Sequence, residues 1–220
     1  AVDVPQLKFV NLPVKLQQTE RQMYNLAEHL DNFEESDVKE HTFYKQFHLR
    51  LLVAKGQFKL FKSEAHRIID MTQIHVAEPF EHIQKMKEVL TKIDHLVSKS
   101  VTVSKFDKIV EYFEEMKSHN ANYAAILVTD DIEHANFSLQ HKLKTVVLPN
   151  KGSNMTIQRC LEKFERLGQG DILIMNALKA ETGLNLQMRA KAIYFTDPKL
   201  STSSFRQMCH RIVRPGSMDK

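Results

Sequence analysis

Gln207, Arg211 and Arg214 stand at positions i, i+4 and i+7, so on a helix opening near Ser201 or Ser203 they share one face. A guanidinium group keeps its charge and presents a fork of donors that matches phosphate oxygens. Two of them one turn apart can stabilise the charge that develops on a phosphoryl group in transfer. Two arginines on a solvated helix are also commonplace, so spacing alone leaves both readings open.

The other residue types capable of chemistry are scattered. The chain has six glycines, at 56, 152, 168, 170, 183 and 216, and they match neither G-x-x-x-x-G-K-[ST] nor G-x-G-x-x-G. Gly168-Gln169-Gly170 comes nearest, but it precedes an apolar run instead of following one and reads as a helix-ending turn. His41 and His48 fit one helix face, yet no H-E-x-x-H or Cys/His cluster accompanies them. Cys160 and Cys209 are the only cysteines, too few for a disulfide framework, and a reducing compartment is expected. Cys209 reads as a small buried hydrophobe rather than a nucleophile. His210, beside Arg211, has either a packing role or a titration near neutrality. Ser153 and Asn154 read as a helix cap, and Asp130-Asp131 as an acidic helix start.

These residues must be positioned by elements of two kinds. Up to about Ser100 the apolar residues recur at helical intervals: Met23, Leu26, Leu30 and Phe33, then Phe43, Phe47, Leu51 and Leu52, then the stretch Phe58 to Met71. Breaks are expected at Asp31 to Asp37 and at Lys55-Gly56. After Pro79 comes a 3-4-3-4 stripe of Ile83, Met86, Leu90, Ile93 and Val97, a seam that wants another helix. Beyond residue 100 the pattern changes. Four short apolar runs, Ala124 to Val128, Thr145 to Leu148, Ile172 to Met175 and Ala192 to Phe195, alternate with segments of helical period. Continuous apolar strands separated by amphipathic helices predict a parallel sheet covered on both faces. The expected architecture is an all-α subdomain over 1–100 followed by an α/β domain over 101–220. In such sheets ligands collect at the carboxyl ends of the strands.

Composition sets the remaining bounds. Hydrophobic residues make up 42% and charged residues 26% of the 220-residue chain, so it can bury a core throughout. No apolar run approaches the roughly 18 residues of a membrane span, so no membrane partner is expected. Lys and Arg number 31 against 27 Asp and Glu, for a net charge of +4. From Lys179 to Lys220 there are eight basic and three acidic residues, and a positive end of this kind suits phosphate.

From Asp171 onward the chain resembles the C-terminal lobe of superfamily-two helicase-like ATPases of the Swi/Snf type. Leu178-Lys179-Ala180 with Gly183-Leu184-Asn185-Leu186 is similar to that family's fifth motif. Asp197-Pro198 closes the next strand as it does there, and Gln207 to Arg214 resembles the sixth motif, Q-x-x-G-R-x-x-R. Upstream, Leu12-Pro13-Val14-Lys15-Leu16 with Glu20-Arg21 and Tyr24 is similar to the segment that leads into the family's second lobe, and Ser104-Lys105-Phe106 to a helix start that follows its helical protrusion. The chain departs from the pattern at Glu181-Thr182, where paired glycines are usual, at His210 in place of the sixth-motif glycine, and at Lys199-Leu200 in place of aromatic residues. That drift suits a divergent branch, viral among others.

The resemblance implies a RecA-like parallel sheet with flanking helices, and an ATPase site formed only in a cleft between two lobes. The N-terminal lobe, supplied from elsewhere in the protein, would hold most of the ATP and its Mg²⁺. By the same resemblance Arg211 and Arg214 would be arginine fingers and Gln207 would orient them or a water. Gly183, Asn185 and Asp197 would bind nucleotide. Lys179, Thr182 and Asn185, with Lys151 and Ser153, would hold nucleic-acid backbone, double-stranded DNA in the first instance, as a motor that steps along any sequence requires. The chain alone would not turn over ATP. Two other readings stay open: an RNA or viral-transcription helicase-like lobe, and a catalytically degenerate binding platform. An intracellular location is expected, nuclear for a cellular eukaryotic protein and cytoplasmic or virion-associated for a viral one.

Overall fold

The computed structural model of the chain describes residues 8–31, 48–75, 80–99, 103–181, 184, 186, 189–196 and 202–210. Contacts divide it into two compact units, Val14–Lys105 and a second formed by Phe106–Lys220 with the N-terminal segment up to Pro13.

The first unit is helical: α1 (Gln18–Asp31), α2 (His48–Ala54), α3 (Phe58–His75) and α4 (Phe80–Lys99). Met23, Ala27 and Leu30 of α1, Leu49, Leu52 and Val53 of α2, Phe61, Ala65 and Ile69 of α3, and Met86 and Ile93 of α4 are all buried. Steps of three and four place them on one face of each helix, as the apolar stripes require. Between α2 and α3 the chain turns at Lys55-Gly56. Gly56 has φ +72°, and a Cβ on it would come within 2.4 Å of Val103 Cγ1, so both handedness and space demand glycine there. Phe43, Phe47 and the expected break from residue 32 to 37 lie outside the described residues.

The second unit carries all of α5 (Ser104–His119) but its first two residues, which belong to the first unit, then β1 (Ala125–Val128), α6 (Ile132–Leu139), β2 (Thr145–Val147), α7 (Asn154–Glu165), β3 (Ile172–Met175), α8 (Ala177–Glu181), β4 (Ala192–Phe195) and α9 (Thr202–Cys209). The four strands form one sheet in the order β2-β3-β1-β4, and every pairing is parallel. The expected parallel sheet is therefore present. The apolar runs overshoot the strands by one residue, at Ala124 and at Leu148, and both residues are fully buried.

Alternation along the strands sends side chains to two faces. Ile126, Val128, Leu173 and Met175 join Phe164 of α7 and Met208 of α9 in one apolar cluster. On the other face α6 lies against β2 and β3, and α5 sets Tyr112 edge-on to Tyr194 and Phe113 at a tilt against Tyr123. Phe113 and Phe164 are each 0% exposed, and burial of one such ring stabilises the fold by about 1.5–3 kcal/mol. No helix among the described residues is long and apolar enough to cross a membrane.

Candidate nucleotide and nucleic-acid edge

The connection leaving β1 runs through α6 on one face. The connection leaving β3 contributes Leu184, Leu186 and Ala190 to the cluster on the opposite face. β1 and β3 are neighbours, so the crevice at which the connections part company opens between their carboxyl ends, the position where open α/β sheets take ligands. The N–H of Thr129 donates to the carbonyl of Met175 at 3.0 Å across this point. Thr129 is 2% exposed. Asp131 caps α6 by accepting from the N–H of His134 at 3.0 Å, so the acidic pair opens a helix as its sequence suggests. Thr196, just past β4, donates its N–H to the carbonyl of Val128 at 3.2 Å. The ends of β3, β1 and β4 are thus tied together along one rim.

Lys151 and Ser153 occupy the loop after β2, and both are exposed. Ser153 is the N-cap of α7, with the N–H of Thr156 donating to its hydroxyl at 3.2 Å, whereas Asn154 is the first residue of the helix itself. Lys179 lies in α8, directly after β3, and its N–H donates to Oδ1 of Asn176 at 2.9 Å. Lys151, Ser153 and Lys179 therefore all stand at the carboxyl edge, in the connections that leave the adjacent strands β2 and β3.

The stretch that follows Lys179 is anchored at its far end. Leu186 is buried at 1% exposure. Arg189 sends one arm of its guanidinium to the carbonyl of Phe164 at 2.8 Å and another to that of Gly170 at 2.6 Å, with its charge 5.1 Å from the centre of the Phe164 ring. Burial lowers the Arg189 pKa, opposed by the carboxylates of Asp171 and Glu165, and the group still serves as a cationic clamp. Thr182, Gly183 and Asn185, between Lys179 and Leu186 in sequence, lie outside the described residues, as do Asp197, Arg211 and Arg214.

On α9, Met208 and Cys209 are buried, whereas Arg206 and Gln207 are exposed. The amide of Gln207 thus belongs to the open side of the helix. Burial pushes the Cys209 thiol pKa up, which suits an inert core residue. His210 is exposed, and its N–H closes the helix by donating to the carbonyl of Arg206 at 3.0 Å.

Among the described residues no group of three or more His, Cys, Asp or Glu side chains gathers to hold a metal ion. His48 is exposed, and His41 lies outside the described residues. Exposed Arg206, Gln207 and Lys151 have the donor chemistry for phosphate oxygens.

Thr129 and Asn176 are the rim residues that the spacing of charged side chains does not reveal. Their signal is their place immediately after β1 and β3, which acquires meaning only when those strands are known to be neighbours.

The structure is similar to the helicase domain of Hef from Pyrococcus furiosus, with a TM-score of 0.62 and 13% identity over 94% of this chain and 53% of that one. It is also similar to the C-terminal part of the Fun30 ATPase domain, with a TM-score of 0.56 and 13% identity over 94% of this chain and 80% of that one. The chain spans about half the length of the Hef helicase domain. No family profile and no curated protein matches it in sequence. At this identity the likeness is one of fold: a RecA-like α/β lobe of the kind found in helicase domains.

Proposed function

We propose that the chain is the second lobe of a helicase-like ATPase of the Swi/Snf type, driven by ATP along double-stranded DNA. The observation that carries this reading is the common carboxyl edge of Lys151, Ser153 and Lys179 on a parallel sheet. Cationic and hydroxyl groups in the connections leaving the strands suit the uniform phosphate backbone.

In this reading Arg211 and Arg214, which follow Gln207 by four and seven residues in sequence, reach a triphosphate held with its Mg²⁺ mainly by a first lobe. Gln207 orients them or a water. Gly183, Asn185 and Asp197 contribute to the nucleotide side, and Thr182 and Asn185 to the nucleic-acid side. The helical unit corresponds to the protrusion of that family.

His210 standing in place of the sixth-motif glycine favours one competing reading, a lobe that has kept its shape as a binding platform and lost hydrolysis. ATPase assays on a protein joining this chain to its first lobe decide the matter. Arg214→Ala is expected to lower kcat by on the order of 10³-fold, and duplex DNA to stimulate hydrolysis more than single strands or RNA. Hydrolysis untouched by Arg214→Ala, or supported by this chain alone, overturns the assigned roles. Stronger stimulation by RNA transfers the lobe to an RNA motor.

A further inference from the structure

α9 has eight residues, too few for a helix to persist in water on its own hydrogen bonds. Its seat is a stripe of Phe205, Met208 and Cys209 at i, i+3 and i+4. Met208 and Cys209 sink into the core at 0% and 5% exposure. Phe205 instead rests on Phe195, the last residue of β4, with ring centres 4.8 Å apart at 48°. It also meets Phe9, at 5.7 Å and 33°. Both separations fall in the range of favourable aromatic pairs.

Phe9 is otherwise a surface residue, 66% exposed, in a segment from Lys8 to Pro13 that has no regular secondary structure. That segment groups with the α/β unit. A large ring left mostly in water contributes little to a core. Its contact with Phe205 is a local tie between the N-terminal segment and the helix that carries Gln207.

We propose that Phe9 and Phe205 are positioning residues: the Phe9–Phe205–Phe195 ladder fixes the rotation of α9 about its axis, and so the direction in which the Gln207 face is presented. Met208 and Cys209 hold the carboxyl half of the helix, and the aromatic contacts hold the amino half. The segment bearing Phe9 runs on in sequence to Val14, where the helical unit begins. A shift of this segment therefore reaches the Gln207 helix through the Phe9 ring. The link to catalysis rests on the proposed function, whereas the ladder itself does not.

Amide hydrogen exchange on the 220-residue chain tests the ladder with Phe9→Ala, Phe9→Leu and Phe9→Tyr. Loss of the ring in Phe9→Ala is expected to speed exchange of the α9 amides on the order of fivefold, with β1 and β3 unchanged. Phe9→Tyr restores protection because it keeps the ring, and Phe9→Leu does not. Unchanged α9 exchange in Phe9→Ala overturns the ladder, and so does a uniform rise across the sheet, which marks a general loss of stability. The two claims separate cleanly. Loosening of α9 in Phe9→Ala beside an ATPase indifferent to Arg211→Ala retains the ladder and removes the finger reading. A rigid α9 beside an ATPase abolished by Arg211→Ala does the reverse.

Discussion

Ser104, the first residue of α5, donates its backbone N–H at 3.0 Å and also its hydroxyl to the carboxylate of Glu20, in the first turn of α1. The N–H of Gln17 donates to the same carboxylate at 2.8 Å. One carboxylate, on a residue 1% exposed, therefore closes the amino ends of two helices, satisfying N–H groups that have no partner within either helix. Replacing it with alanine takes the acceptor from the buried N–H of Ser104, whereas the N–H of Gln17 keeps the Ser104 hydroxyl at 3.1 Å. Glu20→Ala is expected to cost about 3 kcal/mol, and Glu20→Gln, which keeps an acceptor oxygen, less. Urea unfolding reads this as a fall in midpoint at constant slope. A loss within about 0.5 kcal/mol, typical of an ordinary surface change, refutes the double cap.

The hydroxyls of Tyr123 and Tyr194 meet at 2.8 Å inside the α/β unit, where the rings are 4% and 7% exposed. Tyr194→Phe or Tyr123→Phe strands the remaining hydroxyl and is expected to cost about 1–2 kcal/mol. The double replacement should cost less than the sum, because both polar groups leave together. A double-mutant cycle measures the difference, and strict additivity contradicts the pairing.

The same pair predicts an alkaline limit. Burial pushes the Tyr194 pKa well above its ordinary value of 10.0, and the Tyr123 hydroxyl adds to the rise. Tyr123 is also raised by burial, opposed by its bond to Tyr194. Above about pH 10 the unfolded chain has released protons that the folded chain retains, so folding stability falls as pH rises. Below that value the contribution is fully present. Phenolate absorbance should therefore report these two tyrosines only as the fold is lost, and Tyr194→Phe should flatten the alkaline slope.

Asp171 predicts the opposite end of the scale. Its burial works to raise the pKa, but the Lys117 ammonium and the N–H of Lys144, which donates at 3.0 Å, more than offset this and hold it below the usual 3.8. The stabilisation is present above the unfolded value and is lost as pH falls through it toward the folded one. Asp171→Asn should be less stable than the parent near neutrality, and the gap should narrow below about pH 4. A gap that stays constant with pH rules out the charge as its source.

Each strand of the sheet is legible as an apolar run bounded by polar residues, most sharply β1 and β3, which are buried along their whole length and have no polar alternation to blur them. The order of the strands is not legible, since Ala125, Thr145, Ile172 and Ala192 say nothing of which strand lies beside which. For that reason the connections that carry Lys151, Ser153 and Lys179 are found by following each run to its end, the residues themselves being singled out by the family resemblance, whereas the crevice marked by Thr129 and Asn176 needs the β1–β3 pairing. Glu20 and Ser104 are hidden for another reason. They are 84 residues apart, and only a chain folded back on itself reveals that one carboxylate serves both. The Gln17-to-Glu20 half of that cap is local and can be read as a capping spacing.

Lys151 and Lys179 permit a test of the nucleic-acid edge that does not depend on hydrolysis. Each phosphate neutralised by a lysine releases bound counterions, so affinity falls with salt at a slope of about 0.9 per contact on duplex DNA. Lys151→Ala and Lys179→Ala should each weaken binding about equally across DNA sequences and reduce that slope by about 1. The double variant should reduce it by about 2, since the two side chains stand in different connections. Lys163, exposed in the last turn of α7, lies toward the opposite end of the sheet and supplies the control: Lys163→Ala should leave the slope unchanged. Fluorescence anisotropy over a salt series on duplexes of unrelated sequence makes the measurement. Equal slopes for all three variants remove the carboxyl edge from the interface. A loss confined to one sequence replaces backbone contact with base reading, a mode of recognition that does not suit a motor stepping along any sequence.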